Sequence, residues 1–213
     1  SIRSFLGGYD NNFTYLITCS RTGTHAIVDA AIDTNEITHY LRSDPVAILI
    51  THGHGDHTAF LDKYVQQYPG ATILGHPDSK LKEKYSNFKK VDNNQEFIIG
   101  EMRFKCIHTP GHYFDSICYQ ISPVLFTGDT MFVGRTGRIK GKYSSIEDLY
   151  DSIYNKILKI PGSIKIYPGH DYGDKPNITL KENILNSPLL SANSLDEFKK
   201  RMNDYEKNRK NGS

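Results

Sequence analysis

The sequence predicts one α+β domain spanning residues 1–213, with a short helical extension from about residue 178. Three observations lead there. Short apolar runs rich in β-branched residues recur along the chain, as strands require. A few longer stretches carry apolar residues at three- and four-residue steps, as helices packed on one face require. Pro-Gly pairs and acidic turns separate the two kinds of segment. At this length a single domain is the natural prior.

Residues 13–18 and 26–29 read as strands, the second ending in an acidic turn. Residues 33–41 read as a short helix capped by Asp33 or Thr34, with Ile37 and Leu41 four apart. The run VAILI, residues 46–50, is continuous and apolar, the pattern of a buried strand. Residues 60–68 put Phe60, Leu61, Tyr64, Val65 and Tyr68 on one helical face, and Pro69-Gly70 ends that helix before a strand at 71–74. Four short strands follow between 96 and 126: EFIIG, MRFKCIHT, DSICYQI and VLFT. The best helix is 145–160, with Ile146, Leu149, Ile153, Ile157 and Ile160 in register. After Pro161-Gly162 comes a strand at 164–167, then polar helices at 179–185 and 194–205, with 206–213 expected to fray into solvent.

Bulk properties exclude several classes. A formal net charge of +2 gives no general attraction to nucleic acid or anionic membrane, so neither is expected as a partner. No run of about 18 apolar residues is present, and the first residues lack the apolar centre of a signal peptide. The three cysteines, Cys19, Cys106 and Cys118, are isolated and read as reduced, buried thiols. A cytoplasmic location is the expectation.

The chemistry concentrates in THGHGDHTAF, which sets His52, His54, Asp56 and His57 directly after the apolar run. So many imidazoles and a carboxylate together are costly to desolvate without a cation. Other strand ends repeat the pattern. HTPGH delivers His112, LFTGDT delivers Asp129 and YPGHDY delivers His170. Each follows a strand through a glycine-containing turn, where rigid backbone can aim a ligand and a loop leaves room for substrate. His52 and His54, two apart in an extended loop, can face the same side. Imidazole and carboxylate suit zinc, iron or manganese. His25, His39, His76 and His108 lie outside the pattern and read as surface or structural residues.

H-x-H-x-D-H followed by His, Asp and His resembles the metallo-β-lactamase superfamily over roughly residues 12–190. The resemblance implies a four-layer αβ/βα sandwich with two divalent metal ions at one edge of two facing sheets. Carried over, His52, His54 and His112 bind one metal, Asp56, His57 and His170 the second, and Asp129 bridges them. Asp56 and Asp129 are then the catalytic carboxylates. Two cations about 3.5–4 Å apart can share a hydroxide that is nucleophilic near neutral pH.

HTPGH, FTGDTMF, GRTGR and YPGHDY are similar to the group containing glyoxalase II (hydroxyacylglutathione hydrolase) and the persulfide dioxygenases. The resemblance implies hydrolysis of a small-molecule thioester, glutathione-linked in glyoxalase II, with Arg138 and Tyr172 holding the carrier. Its alternative is a mononuclear iron persulfide dioxygenase using His52, His112 and Asp129. Only 43 residues follow His170, fewer than the helical domain of glyoxalase II requires. In HYFDS, Tyr113 and Asp115 stand where the group has a small hydroxyl residue and Gly, so Asp115 is a candidate acceptor behind His112. No cysteine ligand accompanies His57, which argues against a β-lactamase. The near-neutral charge argues against a nuclease, and the complete ligand set against a non-catalytic scaffold.

Overall fold

Strand β2 (Asn12–Thr18) shows how the layers arise. Its alternation sends Phe13, Tyr15 and Ile17 to one face and Leu16 to the other, and all four are buried. A strand buried on both faces must lie between layers. The computed structural model, which describes residues 1–210, has two six-stranded sheets facing each other with helices on both outer sides.

The first sheet runs β1 (Ile2–Gly7), β2, β3 (His25–Val28), β4 (Ala47–Leu49), β5 (Thr72–Gly75) and β6 (Phe88–Lys90). β1 to β3 pair antiparallel, and β3 to β6 are parallel neighbours joined through α1 (Thr34–Thr38), α2 (Leu61–Gln67) and α3 (Leu81–Lys84). The second sheet contains β7 (Glu96–Ile99), β8 (Met102–His108), β9 (Ile117–Ile121), β10 (Val124–Gly128), β13 (Lys165–Pro168) and the edge strand β14 (Ile178–Thr179). A separate two-stranded ribbon, β11 (Met131–Phe132) with β12 (Arg135–Thr136), follows β10.

Three apolar layers fill the spaces. Phe13, Tyr15, Val28 and Leu49 meet Phe104, Tyr119 and Phe126 between the sheets. Leu16, Ile27, Ile48 and Ile73 meet Ile37, Leu61 and Tyr64 outside the first sheet. Leu125 and Ile166 meet Leu149, Ile153, Ile157 and Phe198 outside the second. The expected four-layer αβ/βα sandwich is the fold observed.

Several elements differ from expectation. β1, α3, β6 and the β11–β12 ribbon were not expected. The helix expected over 145–160 is α4 (Ile146–Asp151), then a wide π turn (Ser152–Lys156) and a 3₁₀ turn (Ile157–Lys159). Leu149, Ile153 and Ile157 are buried at steps of four, each overshooting a regular turn by about 40°. The wide turn takes up that overshoot. Thr179 forms a capping box with Glu182 and starts α5 (Leu180–Asn186) one residue later than expected. The last helix, α6 (Leu195–Lys210), continues past residue 206, because Phe198 and Met202 seat it on the second sheet and Glu206 pairs with Arg138. The end expected to fray is therefore helical as far as residue 210, and residues 211–213 lie outside those described.

Candidate metal centre

Four strands end at one edge of the sandwich. β4 leads into the His52–His57 loop, β8 into the His112 turn, β10 into Asp129 and β13 into His170. β10 and β13 are parallel neighbours with Gly128 opposite Pro168, so Asp129 and His170 emerge side by side. Glycines permit the approach. A Cβ on Gly169 would lie 2.4 Å from Asp129 Oδ1 and 2.6 Å from His57 Cε1. Gly111 has φ +141°, and a Cβ there would meet the Leu149 backbone nitrogen at 2.4 Å.

All seven expected ligands converge. His54 Nδ1 lies 2.9 Å from His52 Nε2 and 3.1 Å from His112 Nε2. His57 Nε2 lies 3.2 Å from His170 Nε2, and both approach Asp56 Oδ2, at 3.5 and 3.3 Å. Asp129 stands between the two sets. Its Oδ2 is 3.4 Å from His112 Nε2 and 3.3 Å from His170 Nε2, while Oδ1 is 3.1 Å from His57 Nε2.

This arrangement fits cations better than hydrogen bonds. His54 Nδ1 faces two other nitrogens and can share a proton with only one. Asp129 Oδ1 is buried with no hydrogen-bond partner, although His57 Nε2 stands 3.1 Å away. Nitrogens held about 2.0–2.1 Å from a shared cation stand about 3.0–3.4 Å apart, close to the spacings found here. His52, His54 and His112 form one donor set and Asp56, His57 and His170 a second. His52, His57 and Asp129 form a third grouping that links them.

The outward-facing atoms set tautomers. His57 Nδ1 donates to Asp29 Oδ2 at 2.8 Å, His112 Nδ1 to the Arg138 carbonyl at 2.8 Å, and His170 Nδ1 to the Asp10 carbonyl at 2.7 Å. Each leaves Nε2 to face the centre. Asn12 Nδ2 donates to Asp56 Oδ2 at 2.8 Å. Asp115, singled out in the sequence, is buried and accepts the Gly53 amide at 3.1 Å.

Charge is distributed consistently with cation binding. Burial holds His52 well below the ordinary imidazole value and brings His54 down to about 4. Burial also opposes a proton on His57, but the Asp129 and Asp29 carboxylates outweigh it and raise that ring. It opposes one on His170 too, where Asp129 and Asp56 win and raise the ring to about 9. Burial would raise Asp129 and Asp56, yet the facing His57 and His170 hold both below the usual carboxylate range. Protons here neutralise the carboxylates; a divalent cation takes over that role and releases them.

Sequence reasoning missed Asp10, Asn12 and Asp29. Asp29 is buried at φ +59° and accepts the Thr51 amide and hydroxyl, each at 2.8 Å, besides His57. Its signal was present, an acid at a strand end. Asn12 and Asp10 gave none, because their role comes from the bridge between Asn12 and His170.

Arg138 and Tyr172 both border the centre. The Arg138 carbonyl holds His112, while its guanidinium reaches Glu206 at 3.0 and 3.3 Å. The Tyr172 ring stacks on His170 with centroids 4.7 Å apart, and its hydroxyl donates to the Asp10 carboxylate. His25 is buried and His39 exposed, while His76 and His108 stack on each other at 4.0 Å away from the ligands.

Comparison with known proteins agrees with this geometry. Residues 7–170 match the metallo-beta-lactamase superfamily, to which the chain belongs. A probable polyketide biosynthesis zinc-dependent hydrolase of Bacillus velezensis is 30% identical, across 88% of this chain and 85% of that one. The hydroxyacylglutathione hydrolase of Francisella tularensis subsp. novicida is 34% identical, across 80% of this chain and 67% of that one. Among solved structures, ETHE1 from Myxococcus xanthus superposes with a TM-score of 0.82 at 25% identity, covering 96% of this chain and 91% of that one. Among the described residues no helix is long and apolar enough to cross a membrane.

Proposed function

We propose, from membership of the metallo-beta-lactamase superfamily and the paired donor sets, that this protein is a dinuclear metal-dependent thioester hydrolase of the hydroxyacylglutathione hydrolase type. One observation carries the reading: both donor sets are complete and Asp129 lies against each. A one-metal oxygenase of the 2-His-1-carboxylate type would not require Asp56, His57 and His170. The hydrolase relatives support the same class.

His52, His54 and His112 would hold one divalent ion, Asp56, His57 and His170 the other, and Asp129 both. Bound there, such ions supply Lewis acidity and a hydroxide near neutral pH. The protein's own part is positional. Asp29 and the Asp10 carbonyl fix the rings of His57 and His170, and Asn12 fixes the Asp56 carboxylate. Asp129 keeps the two sets at one separation. In the reaction a C–O bond forms at the carbonyl and the C–S bond breaks. The electron pair leaves with sulfur, giving a carboxylate and a thiolate that takes a proton from solvent. Arg138 and Tyr172, on opposite flanks of the centre, line the approach of an anionic thiol carrier.

The test pairs metal analysis with activity on a hydroxyacylglutathione thioester. Asp56→Ala should lower metal from near two toward one per chain and abolish hydrolysis, and Asp129→Ala should damage both sites. A wild-type protein holding one iron, consuming oxygen with glutathione persulfide and cleaving no thioester would make the hydrolase reading wrong. Arg138→Ala should lower kcat/KM for the glutathione thioester about tenfold to a hundredfold with metal content intact. An unchanged kcat/KM would assign carrier recognition elsewhere.

A further inference from the structure

A ligating imidazole is ordinarily oriented by a hydrogen bond at its second nitrogen. In the first donor set, His52 Nδ1 lies 3.2 Å from the Thr51 hydroxyl and His112 Nδ1 donates to the Arg138 carbonyl. His54 differs. It meets the centre through Nδ1, and among the described residues its Nε2 has no hydrogen-bond partner. Something else must hold this ring.

The segment after His112 supplies the hold, at the two positions where the chain departs from the group it resembles. Tyr113 lays its ring against His54, with centroids 4.2 Å apart. Asp115 is buried, and its Oδ1 accepts the amide of Gly53, the residue between His52 and His54, at 3.1 Å. A second bond, from Ile117 N to the Thr51 carbonyl at 2.7 Å, joins the same two stretches of chain. The segment is itself anchored, because His108 Nε2 donates to the Phe114 carbonyl at 2.9 Å.

Gly53 and Asp115 are fitted to each other. A Cβ on Gly53 would lie 2.9 Å from Asp115 Oδ2, and no other residue would come nearer to it than 3.8 Å. Gly53 is not among the glycines with positive φ, so its backbone would accept a side chain and only the carboxylate forbids one. Moving that carboxylate aside would break its bond to the Gly53 amide.

We propose that Asp115 and Tyr113 are positioning residues for the first metal, holding His54 in place of the hydrogen bond its ring lacks. Asp115 fixes the backbone from which His52 and His54 project, and Tyr113 limits the swing of the His54 ring. The inference rests on the metal-holding part of the hydrolase reading and is independent of the substrate.

Zinc binding tests it without turnover. In Asp56→Ala, which keeps the first donor set, adding Asp115→Ala should weaken zinc about 10–100-fold by calorimetry. Asp115→Asn keeps an oxygen for the Gly53 amide and should restore most of that affinity. Tyr113→Ala should weaken the same site, and Tyr113→Phe should not. In His54→Ala, which keeps Asp56, His57 and His170, none of these changes should move zinc affinity. A double-mutant comparison separates positioning from plain loss of stability. Gly53→Ala should weaken the first site with Asp115 present and cost little further in Asp115→Gly, where the clash is gone. Equal weakening of both sites would overturn the proposal. So would additive effects at Gly53 and Asp115, or zinc affinity unaltered by Asp115→Ala. The expected zinc losses in a chain that cleaves no thioester would sink the hydrolase reading and leave the positioning role standing. Thioester cleavage with zinc affinity indifferent to Asp115 and Tyr113 would do the reverse.

Discussion

Three donors converge on the Asp29 carboxylate: the Thr51 amide, the Thr51 hydroxyl and the His57 Nδ1–H. All are buried, so Asp29→Ala leaves them without an acceptor at about 1–3 kcal/mol for each unpaired group. His57 also loses the bond that sets its tautomer, which should weaken the second metal about 10–100-fold. Zinc titration by calorimetry and urea unfolding read the two effects separately, and an unchanged second-site affinity would deny Asp29 its positioning role. His76 makes a prediction of different sign. Burial and the stacked His108 ring lower it from the ordinary value to about 4. The unfolded chain therefore takes up this proton first as pH falls. The contribution is fully present above about pH 6.5 and lost as pH falls toward 4. His76→Phe should flatten the stability slope across that window, and an unchanged slope in urea unfolding would place the acid sensitivity elsewhere. The seven converging residues were legible at this scale because metal chemistry restricts the residue types worth seeking. Asn12 was not, since any buried donor on β2 could have served Asp56.

The turn from His108 to His112 is buttressed by the segment that begins with α4. Ser145 N donates to the Gly111 carbonyl at 2.8 Å, and Ser152 Oγ donates to the Pro110 carbonyl at 2.7 Å from within the π turn. Gly111 lets the Leu149 backbone pass where a Cβ would lie 2.3 Å from its Cα. Gly111→Ala should therefore push the turn off α4, cost several kcal/mol through strain and overpacking (about 1–3 kcal/mol each), and displace His112. Lower first-site metal occupancy together with a reduced melting temperature is the expected result; full occupancy with unaltered melting would mean the turn yields freely. Elements buried on two faces, such as β4 and β10, were legible because their apolar runs leave no other reading. β1 and β6 were not. Each is an edge strand with no fully buried side chain, made a strand by its neighbour rather than by its own pattern. The π turn escaped notice because steps of four are equally compatible with a regular helix until all three residues must be buried together.

At the scale of the molecule, the centre joins two halves that also meet through apolar packing and through hydrogen bonds such as Tyr15 Oη to the Pro168 carbonyl and Tyr119 Oη to the Ile50 carbonyl. His52, His54, Asp56 and His57 follow a strand of the first sheet; His112, Asp129 and His170 follow strands of the second. A cation held by either donor set has ligands from both sheets, so pulling the layers apart means releasing it. Binding to the folded chain alone stabilises it by about 2.7 kcal/mol at a free metal concentration 100 times Kd. For a chain of this size each kcal/mol is worth about 2–4 °C, so one saturated site should raise the melting temperature by about 5–10 °C. Adding a chelator should reverse the shift. Asp56→Ala should retain part of it through the first site, whereas Asp129→Ala should abolish most of it, because Asp129 contacts both sets. Equal shifts in the two variants would mean that Asp129 serves one site only. No shift in the wild-type chain would mean that the convergent ligands do not bind metal when folded. The ordering of the variants, more than the size of any one shift, separates a shared carboxylate from two independent sites.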